Sequence, residues 1–172
     1  DSDFQMAMAR VLNDYYHEIF AEHRDRLVVS AVLPMMDLDA AITEAERVAK
    51  LGFRSLSIPI GMSGQPYNLP RFERFWSAIE EMGLVLGLHT FTSSEGNTHS
   101  NLEFYDGNDA APIEPGPGDD LTDIVLDLMG TAKLLCQLVD SGALQRHPTL
   151  KFVLAECGIG WLAFVLQALD QM

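Results

Sequence analysis

Two spacings of apolar residues alternate along the chain. Four short apolar runs, rich in β-branched or aromatic residues and bounded by polar or turn-forming residues, predict buried β-strands. The predicted strands are 27–33, 53–58, 84–89 and 151–156. The segments between them carry apolar residues three and four apart, which is typical of amphipathic helices. The first segment predicts a helix whose buried face consists of Met8, Val11, Leu12, Tyr15, Ile19 and Phe20.

Residues that begin and end helices agree with this pattern. Asp37 is an N-cap residue ahead of the second predicted helix, and Gly52 follows its last apolar position. Asn68 and Pro70 predict the start of a third helix, which Gly83 ends. Further helices are expected at about 119–140 and at 161–169.

Strands that are apolar on both faces and joined by helices predict an α/β fold with about four parallel strands and flanking helices. Two architectures fit this order: an open doubly wound sheet, or part of a (β/α)8 TIM barrel. The sequence GIG at 158–160 lacks the third glycine and the later acidic residue of a dinucleotide-binding fingerprint. No stretch has the character of an interdomain linker, so 1–172 is interpreted as a single domain.

A polar segment at 91–118, rich in Gly, Pro, Asn and Ser, interrupts the alternation. Loops of this length in compact domains are often lids or binding loops. The segment follows the third strand and leaves the carboxyl end of the sheet, where α/β proteins place their sites. One interpretation is therefore a lid, and the other is an insertion or an oligomer contact.

The composition excludes several classes of partner. The 172 residues include 25 acidic and 11 Lys or Arg side chains, for a formal charge of −14. Nucleic acid and anionic membranes are excluded because both need clustered cations. No apolar stretch reaches the roughly 18 residues of a membrane span. Cys136 and Cys157 form no CxxC pair, so reduced thiols in a cytoplasmic protein are the simpler interpretation.

His89 and Glu156 are the candidate site residues, because each is the last residue of a predicted strand. The carboxyl ends of parallel strands meet at one edge of a sheet. A neutral imidazole there can ligate a metal, and the carboxylate can ligate it, orient the imidazole or act as a general base. The alternatives are a histidine bonded to the following loop and a carboxylate that caps the next helix.

Other reactive side chains are weaker candidates. His147 is expected at the opposite edge of the sheet, His99 lies in the polar segment, and strand alternation directs Cys157 away from Glu156. Trp76 and Trp161 are more typical of a core or a pocket wall than of a stacking platform.

Three stretches covering most of the chain outside 91–118 carry a resemblance. They are NDYYHEIFAEHRDRLVVSAVLPMMDLDAAITEAERVAKLGFRSLSIPI, PRFERFWSAIEEMGLVLGLHT and SGALQRHPTLKFVLAECGIGWL. Together they resemble the amidohydrolase-2 (amidohydrolase-related) family, which includes aminocarboxymuconate-semialdehyde decarboxylase and the resorcylate decarboxylases. The resemblance implies a metal-dependent (β/α)8 barrel that hydrolyses or decarboxylates a small, often aromatic, carboxylic acid. It also implies a divalent metal, with Zn²⁺ favoured and Mn²⁺ as the alternative.

Residue by residue, the resemblance makes His89 a metal ligand at the end of the fifth barrel strand. Glu156 holds the sixth-strand position, which is histidine in those decarboxylases and glutamate in many other relatives, so hydrolysis and decarboxylation both stay open. The family's HxH on the first strand and Asp on the last have no counterpart. We therefore expect a segment from about strand 3 to helix 6 of a barrel, which typically needs about 250 residues.

The predicted function is a metal-dependent hydrolase or decarboxylase of a small carboxylic acid, with His89 as metal ligand and Glu156 as catalytic residue. The expected partner is a small-molecule substrate, and a homo-oligomer is open. The alternative from another class is a non-catalytic α/β module that pairs through exposed sheet edges. A sugar isomerase or epimerase would need further carboxylates at strand ends, and Leu33 and Ile58 provide none.

Overall fold

The structure is a computed structural model that describes residues 1–62, 64–93 and 119–171. Its strands are β1 (Ser30–Val32), β2 (Ser55–Gly61), β3 (Val85–Ser93) and β4 (Lys151–Ala155). Its helices are α1 (Ser2–Ile19), α2 (Leu38–Lys50), α3 (Glu73–Met82), α4 (Asp119–Asp140), α5 (Ala143–Arg146) and α6 (Gly160–Leu169). Short 3₁₀ turns lie at Ala21–His23 and Pro70–Phe72. In these ranges no helix combines the length and apolar content that a bilayer crossing requires.

The four strands form one parallel sheet in the order β1-β2-β3-β4, which is also their order along the chain. Helices separate each strand from the next, as parallel pairing requires. The predicted α/β class with four parallel strands and flanking helices is confirmed. A strand order that never reverses is the pattern of a barrel segment, because a doubly wound sheet contains a reversal point.

The sheet has one face covered by helices and one open face. Strand residues that point to the helices are buried in a core with α2, α3 and α4; they include Ala31, Leu56, Ile58, Leu86 and Leu88. Phe75, Trp76 and Ile79 of α3 pack in the same core. Trp76 is 2% exposed, which confirms its predicted place in the core. Because side chains alternate along a strand, the residues between these point to the open face, among them Ser57 and Gly87.

The predicted buried face of α1 is wrong. Met8, Val11, Tyr15 and Ile19 are all exposed, by 43% or more of their area, and Leu12 and Phe20 are only half-buried. The fully buried residues of the helix are Ala9 and Asn13. The physical reason is the position of α1, which packs on β1, an edge strand. Only one side of the helix therefore faces the sheet, and the side that carries these apolar residues does not.

A polar side chain fixes α1 to that edge strand. The Asn13 amide nitrogen donates to the carbonyl of Val32 at 2.9 Å and to Glu44 Oε1 at 2.8 Å. The Asn13 oxygen accepts the Val32 N–H at 2.8 Å. Glu44 is fully buried, and its charge is compensated by Arg47, at 2.7 Å, and by Arg10, at 3.6 Å. The hydrogen bond to Glu44 raises the pKa of Arg47 above its usual range. Each buried polar group in this cluster therefore has a partner.

Most predicted helix ends are confirmed and one is wrong. Asp37 caps α2 by accepting the N–H groups of Asp39 and Ala40, and Gly83 ends α3 in the left-handed conformation, with φ of 67°. Asn68 does not cap a helix. Its amide donates instead to Asp140 at 2.9 Å, and a 3₁₀ turn precedes α3.

Strand boundaries differ from those predicted in the first three strands, and β2 starts at Ser55 and runs through Gly61 instead of spanning 53–58. β1 is three residues long, because 27–29 lie outside the ladder, and β3 continues through Ser93. Residues 91–93, which we assigned to a loop, thus belong to a strand. The remainder of that segment, 94–118 with His99, lies outside the described residues.

Candidate functional site

His89 and Glu156 lie side by side on neighbouring strands. His89 pairs with Ala155, the last residue of β4, and Glu156 follows directly. His89 Nε2 is 3.2 Å from Glu156 Oε2. Both side chains are open to solvent, at 43% and 72% exposure. The predicted juxtaposition of the two groups is thus present, although β3 runs four residues beyond His89, which we had placed at its end.

Local hydrogen bonds orient the His89 ring. Its Nδ1 lies 2.5 Å from the carbonyl oxygen of Thr90. Because a carbonyl only accepts, Nδ1 carries a hydrogen and Nε2 is the nitrogen that faces Glu156. The His89 carbonyl in turn accepts the Thr92 hydroxyl at 2.5 Å, and Thr92 Oγ1 accepts the Ile60 N–H at 3.2 Å. These contacts tie the site to β2.

Thr92, whose hydroxyl links the backbone of His89 to that of Ile60, is a residue of the candidate site that the sequence-based prediction missed. The signal was the continued alternation of β-branched residues in HTFTS, which extends the third strand past His89. We interpreted the polar content of that stretch as a loop. The Thr92 hydroxyl bonds to backbone, which is why this polar residue is accommodated at this end of the strand, whereas the buried Thr90 hydroxyl has no hydrogen-bond partner in the described residues.

Glu156 has an unusual backbone. Its φ is 57°, and within the described ranges every other residue with positive φ is a glycine. The left-handed conformation costs a residue with a side chain of order 1–3 kcal/mol, and such residues cluster at functional sites. The turn that follows has Gly158 at φ of 59°. The chain therefore turns sharply after β4. This turn places the Glu156 carboxylate beside His89 at the carboxyl end of the sheet.

The donor pair fits two ligands of one divalent cation. An imidazole Nε2 bearing a lone pair and a carboxylate oxygen are both ligands that Zn²⁺ accepts. Bonds of about 2.0–2.2 Å place neighbouring ligands of one ion roughly 3 Å apart, and the two atoms here are 3.2 Å apart. Residues 1–62, 64–93 and 119–171 contain no group of three or more metal-ligating side chains. His89 and Glu156 therefore fit as part of a ligand set.

Small side chains surround the site on the open face of the sheet. A cavity of about 630 Å³ lies there, and its lining includes His89, Ser55, Ser57 and Gly87. A Cβ at Gly87 would come within 3.2 Å of a backbone oxygen, so this position has little room for a side chain. The small residues leave open space beside His89 that a small molecule can occupy.

The other candidate residues lie elsewhere. His147 is at the amino end of β4, 6% exposed, with Nδ1 3.0 Å from Glu80 and Nε2 3.1 Å from Glu73. This confirms its predicted place at the opposite edge from Glu156. Cys157 is buried with its thiol against backbone carbonyls, and both cysteines are free. Trp161 donates its indole N–H to the Cys157 carbonyl at 2.8 Å and so helps fix the turn.

Comparison with known proteins identifies the family. The family model described as Amidohydrolase (Amidohydro_2) matches residues 1–172. The chain belongs to this amidohydrolase family. A gamma-resorcylate decarboxylase from Rhodococcus jostii (strain RHA1) is 30% identical over 163 residues, covering 89% of this chain and 46% of that protein.

Solved structures of the family agree. The 2,6-dihydroxybenzoate decarboxylase from Rhizobium matches with a TM-score of 0.72 and 26% identity, over 97% of this chain and 50% of its own. A structure of 2,6-dihydroxybenzoate decarboxylase with 2,6-dihydroxybenzoate bound gives the same values. A dihydroxybenzoic acid decarboxylase from Polaromonas sp. JS666, solved with manganese and 2-nitroresorcinol, matches with a TM-score of 0.59 and 23% identity, over 90% and 45%.

The chain spans about half the length of the curated relatives that it matches. The fold shared with these amidohydrolases confirms the predicted assignment to part of a TIM barrel. The resemblance seen in the sequence is therefore correct at the level of the family.

Proposed function

We propose that this chain is the central part of a metal-dependent decarboxylase that acts on a small aromatic carboxylic acid. The observation that carries the proposal is the 3.2 Å approach of His89 Nε2 to Glu156 Oε2 at the carboxyl ends of adjacent strands. The decarboxylase names of several relatives support this reaction over hydrolysis. The shared half of each relative supports a longer parent protein.

His89 acts in this proposal as a ligand through Nε2. The Thr90 carbonyl holds Nδ1–H, which fixes the ring and leaves Nε2 free to bind. When bound, a divalent ion supplies a Lewis acid that polarises a substrate oxygen. His89 and Glu156 are the described residues that would hold the ion.

Glu156 moves the proton. Loss of CO₂ leaves an electron pair on the substrate carbon, and a C–H bond must form there. The Glu156 side chain is 72% exposed, so its carboxylate can take a proton from water, pass it to that carbon and return to the ionised form. In a hydrolase the same carboxylate would accept a proton from water, so the reaction product distinguishes the two chemistries.

We propose Zn²⁺ as the resident ion, because imidazole nitrogen with carboxylate oxygen is a typical zinc donor pair. Mn²⁺ is the alternative, supported by the manganese of the Polaromonas neighbour. A cytoplasmic location is also proposed, since both cysteines are free thiols. A small-molecule substrate and a homo-oligomeric parent complete the proposal.

The test is metal analysis of the full-length protein beside its His89→Ala variant. We expect the variant to lose bound metal. We also expect CO₂ release from 2,6-dihydroxybenzoate to fall by more than the roughly 10- to 100-fold that follows loss of an outer-shell partner. The matched control is His23→Ala, at an exposed histidine of the Ala21–His23 turn, which should change neither quantity. Unchanged metal content in His89→Ala would remove His89 from the site, and a hydrolytic product would replace the decarboxylase proposal.

A further inference from the structure

A second cavity lies at the opposite end of the sheet from His89. It has a volume of about 240 Å³ and is enclosed by the carboxyl end of α1, the segment before β1 and the segment before β2. The residues that matter for its chemistry are Tyr16, Phe20, Arg24, Phe53 and Arg54. β1 and β2 separate this cavity from the carboxyl ends of the strands.

Among the described residues, the lining of this cavity carries positive charge and no carboxylate. Arg24 donates to the carbonyls of Leu51, at 3.0 Å, and His17, at 3.1 Å, and to His17 Nδ1 at 2.6 Å. All of these acceptors are uncharged, so the bonds orient the Arg24 guanidinium without neutralising it. Arg54 borders the cavity and also the open face of the sheet. In the described ranges it forms no ion pair within 4.0 Å.

Arg24 and Arg54, like Arg26 and Arg71, form no ion pair within 4.0 Å in the described ranges, whereas other arginines do. Arg47, Arg74 and Arg146 each form an ion pair with a carboxylate, at 2.6, 2.5 and 2.6 Å respectively. In a chain of net charge −14, carboxylates are abundant, yet none of those in the described ranges lines this cavity. Two arginines without carboxylate partners facing one cavity make a local positive field, which attracts anions in an otherwise negative molecule.

The walls of the cavity are aromatic. Tyr16 and Phe20 contact each other edge to face, with ring centroids 6.2 Å apart, and Phe53 lies on the side of His17 at 6.4 Å. Aromatic walls suit a flat ring, and a guanidinium suits a carboxylate. The volume lies below the roughly 300–1,000 Å³ of pockets for drug-sized ligands, so it suits a single-ring acid.

We propose that this cavity binds a small aromatic carboxylate, at a site separate from His89 and Glu156. Arg24 and Arg54 bind the carboxylate, and Tyr16, Phe20 and Phe53 surround the ring. Such a site lies near the amino ends of β1 and β2, away from the proposed chemistry at the carboxyl ends of the strands, so its occupant is a bound effector that is not converted.

The test uses the full-length protein, uniformly labelled with ¹⁵N and titrated with benzoate. We expect saturable shifts in the backbone amides of Tyr16, Phe20 and Phe53. Benzamide, which has the same shape without the charge, should produce no saturable shifts there. The Arg54→Gln variant should bind benzoate roughly tenfold more weakly at this cavity, the effect of losing one charge-assisted hydrogen bond.

The matched control is Arg71→Gln, which removes the same charge from an arginine outside the cavity. It should leave benzoate binding unchanged. Shifts confined to the surroundings of His89 and Glu156, equal binding of benzamide, or equal effects of the two arginine variants would each overturn the proposal. Because the readout is residue by residue, failure here is distinct from failure of the metal site.

Discussion

At the scale of single residues, the backbone of Glu156 is the clearest sign of a functional constraint. A glycine would adopt φ of 57° without steric cost, yet the position carries a glutamate. The carboxylate lies 3.2 Å from His89 Nε2, and no other contact of its side chain offsets the strain in the described residues. The glutamate therefore lowers local stability relative to a glycine, and it places a carboxylate beside His89 at the carboxyl end of β4.

Glycine at this position should give a more stable fold than alanine. We expect the unfolding free energy of Glu156→Gly to exceed that of Glu156→Ala by about 1 kcal/mol, because both lack the carboxylate and only alanine keeps the left-handed strain. Urea unfolding of the full-length protein measures the difference. Ala155→Gly is the control: at the end of β4, outside the left-handed region, glycine should destabilise by roughly 0.5–1 kcal/mol. Equal stability of the glycine and alanine variants at Glu156 would show that the conformation is not strained.

At the scale of elements, the junction of α1, β1 and α2 depends on one amide. Replacing Asn13 with alanine leaves the Val32 N–H, the Val32 carbonyl and one oxygen of buried Glu44 without this partner. We expect a loss of roughly 2–4 kcal/mol, since each unsatisfied buried group costs about 1–3 kcal/mol. Thermal or urea unfolding measures it.

The control for this junction is Gln5→Ala on the same helix. Gln5 accepts one exposed hydrogen bond from the Met36 N–H, at 3.0 Å, so its loss should stay within about 0.5 kcal/mol. If both variants lost the same amount, the bonds of Asn13 would not be what holds α1 to the sheet.

A second set of contacts makes the packing of α3 against the segment before β4 sensitive to acid. Arg146, and to a lesser degree His147, lowers the pKa of Glu73 to about 2 by hydrogen bonding. A carboxyl group whose pKa is lowered in the folded protein stabilises the fold at pH values above its ordinary pKa of about 4.5. This stabilisation is lost as the pH falls toward the lowered pKa of about 2.

The expected result is an unfolding free energy that declines as pH falls from about 4.5 to about 2. Glu73→Gln should lower stability at neutral pH and flatten part of that decline. Glu46→Gln, at an exposed carboxylate of α2, should leave the curve unchanged. Chemical unfolding at a series of pH values provides both curves. A Glu73→Gln curve parallel to that of the unchanged protein would contradict this assignment.

At the scale of the whole molecule, large exposed apolar residues gather beside the two edge strands. Beside β1 they are Phe4, Met8, Val11, Tyr15 and Ile19 of α1, and beside β4 they are Val153, Ile159, Phe164 and Leu166. Contiguous apolar surface of this kind marks contact with other protein. In the proposed parent barrel, the remaining strands and helices would cover both places.

The 172-residue chain produced alone should therefore associate. We expect sedimentation or size exclusion to show aggregates that bind no metal, because both edges remain exposed. A defined oligomer without metal would instead support the non-catalytic module that pairs through its edges. A stable monomer with bound metal would contradict the proposal that the ligand set is completed from outside.

The strands of the sheet could be predicted from the sequence, but the packing of α1 and the long-range hydrogen bonds could not. Apolar runs located all four strands, and strand-end positions brought His89 and Glu156 together before any coordinates, because parallel strands align their carboxyl ends. Periodicity states which residues share a helix face, but not what covers that face, which is why the apolar side of α1 was misassigned. Long-range hydrogen bonds were equally invisible: Asn68 has the character of a cap, yet it bonds to Asp140, 72 positions away.

The amide of Asn13 has a consequence for how the chain would misassemble. The N–H and the carbonyl of Val32 both bond to this side chain, so a foreign strand that docks along β1 finds these groups already occupied at the last residue of the strand. In the described residues no side chain bonds in this way to the outer backbone of β4, and Val153 of that strand is 55% exposed. Strands of other molecules would then add at β4 and not at β1. Any fibril of this chain would therefore grow in one direction.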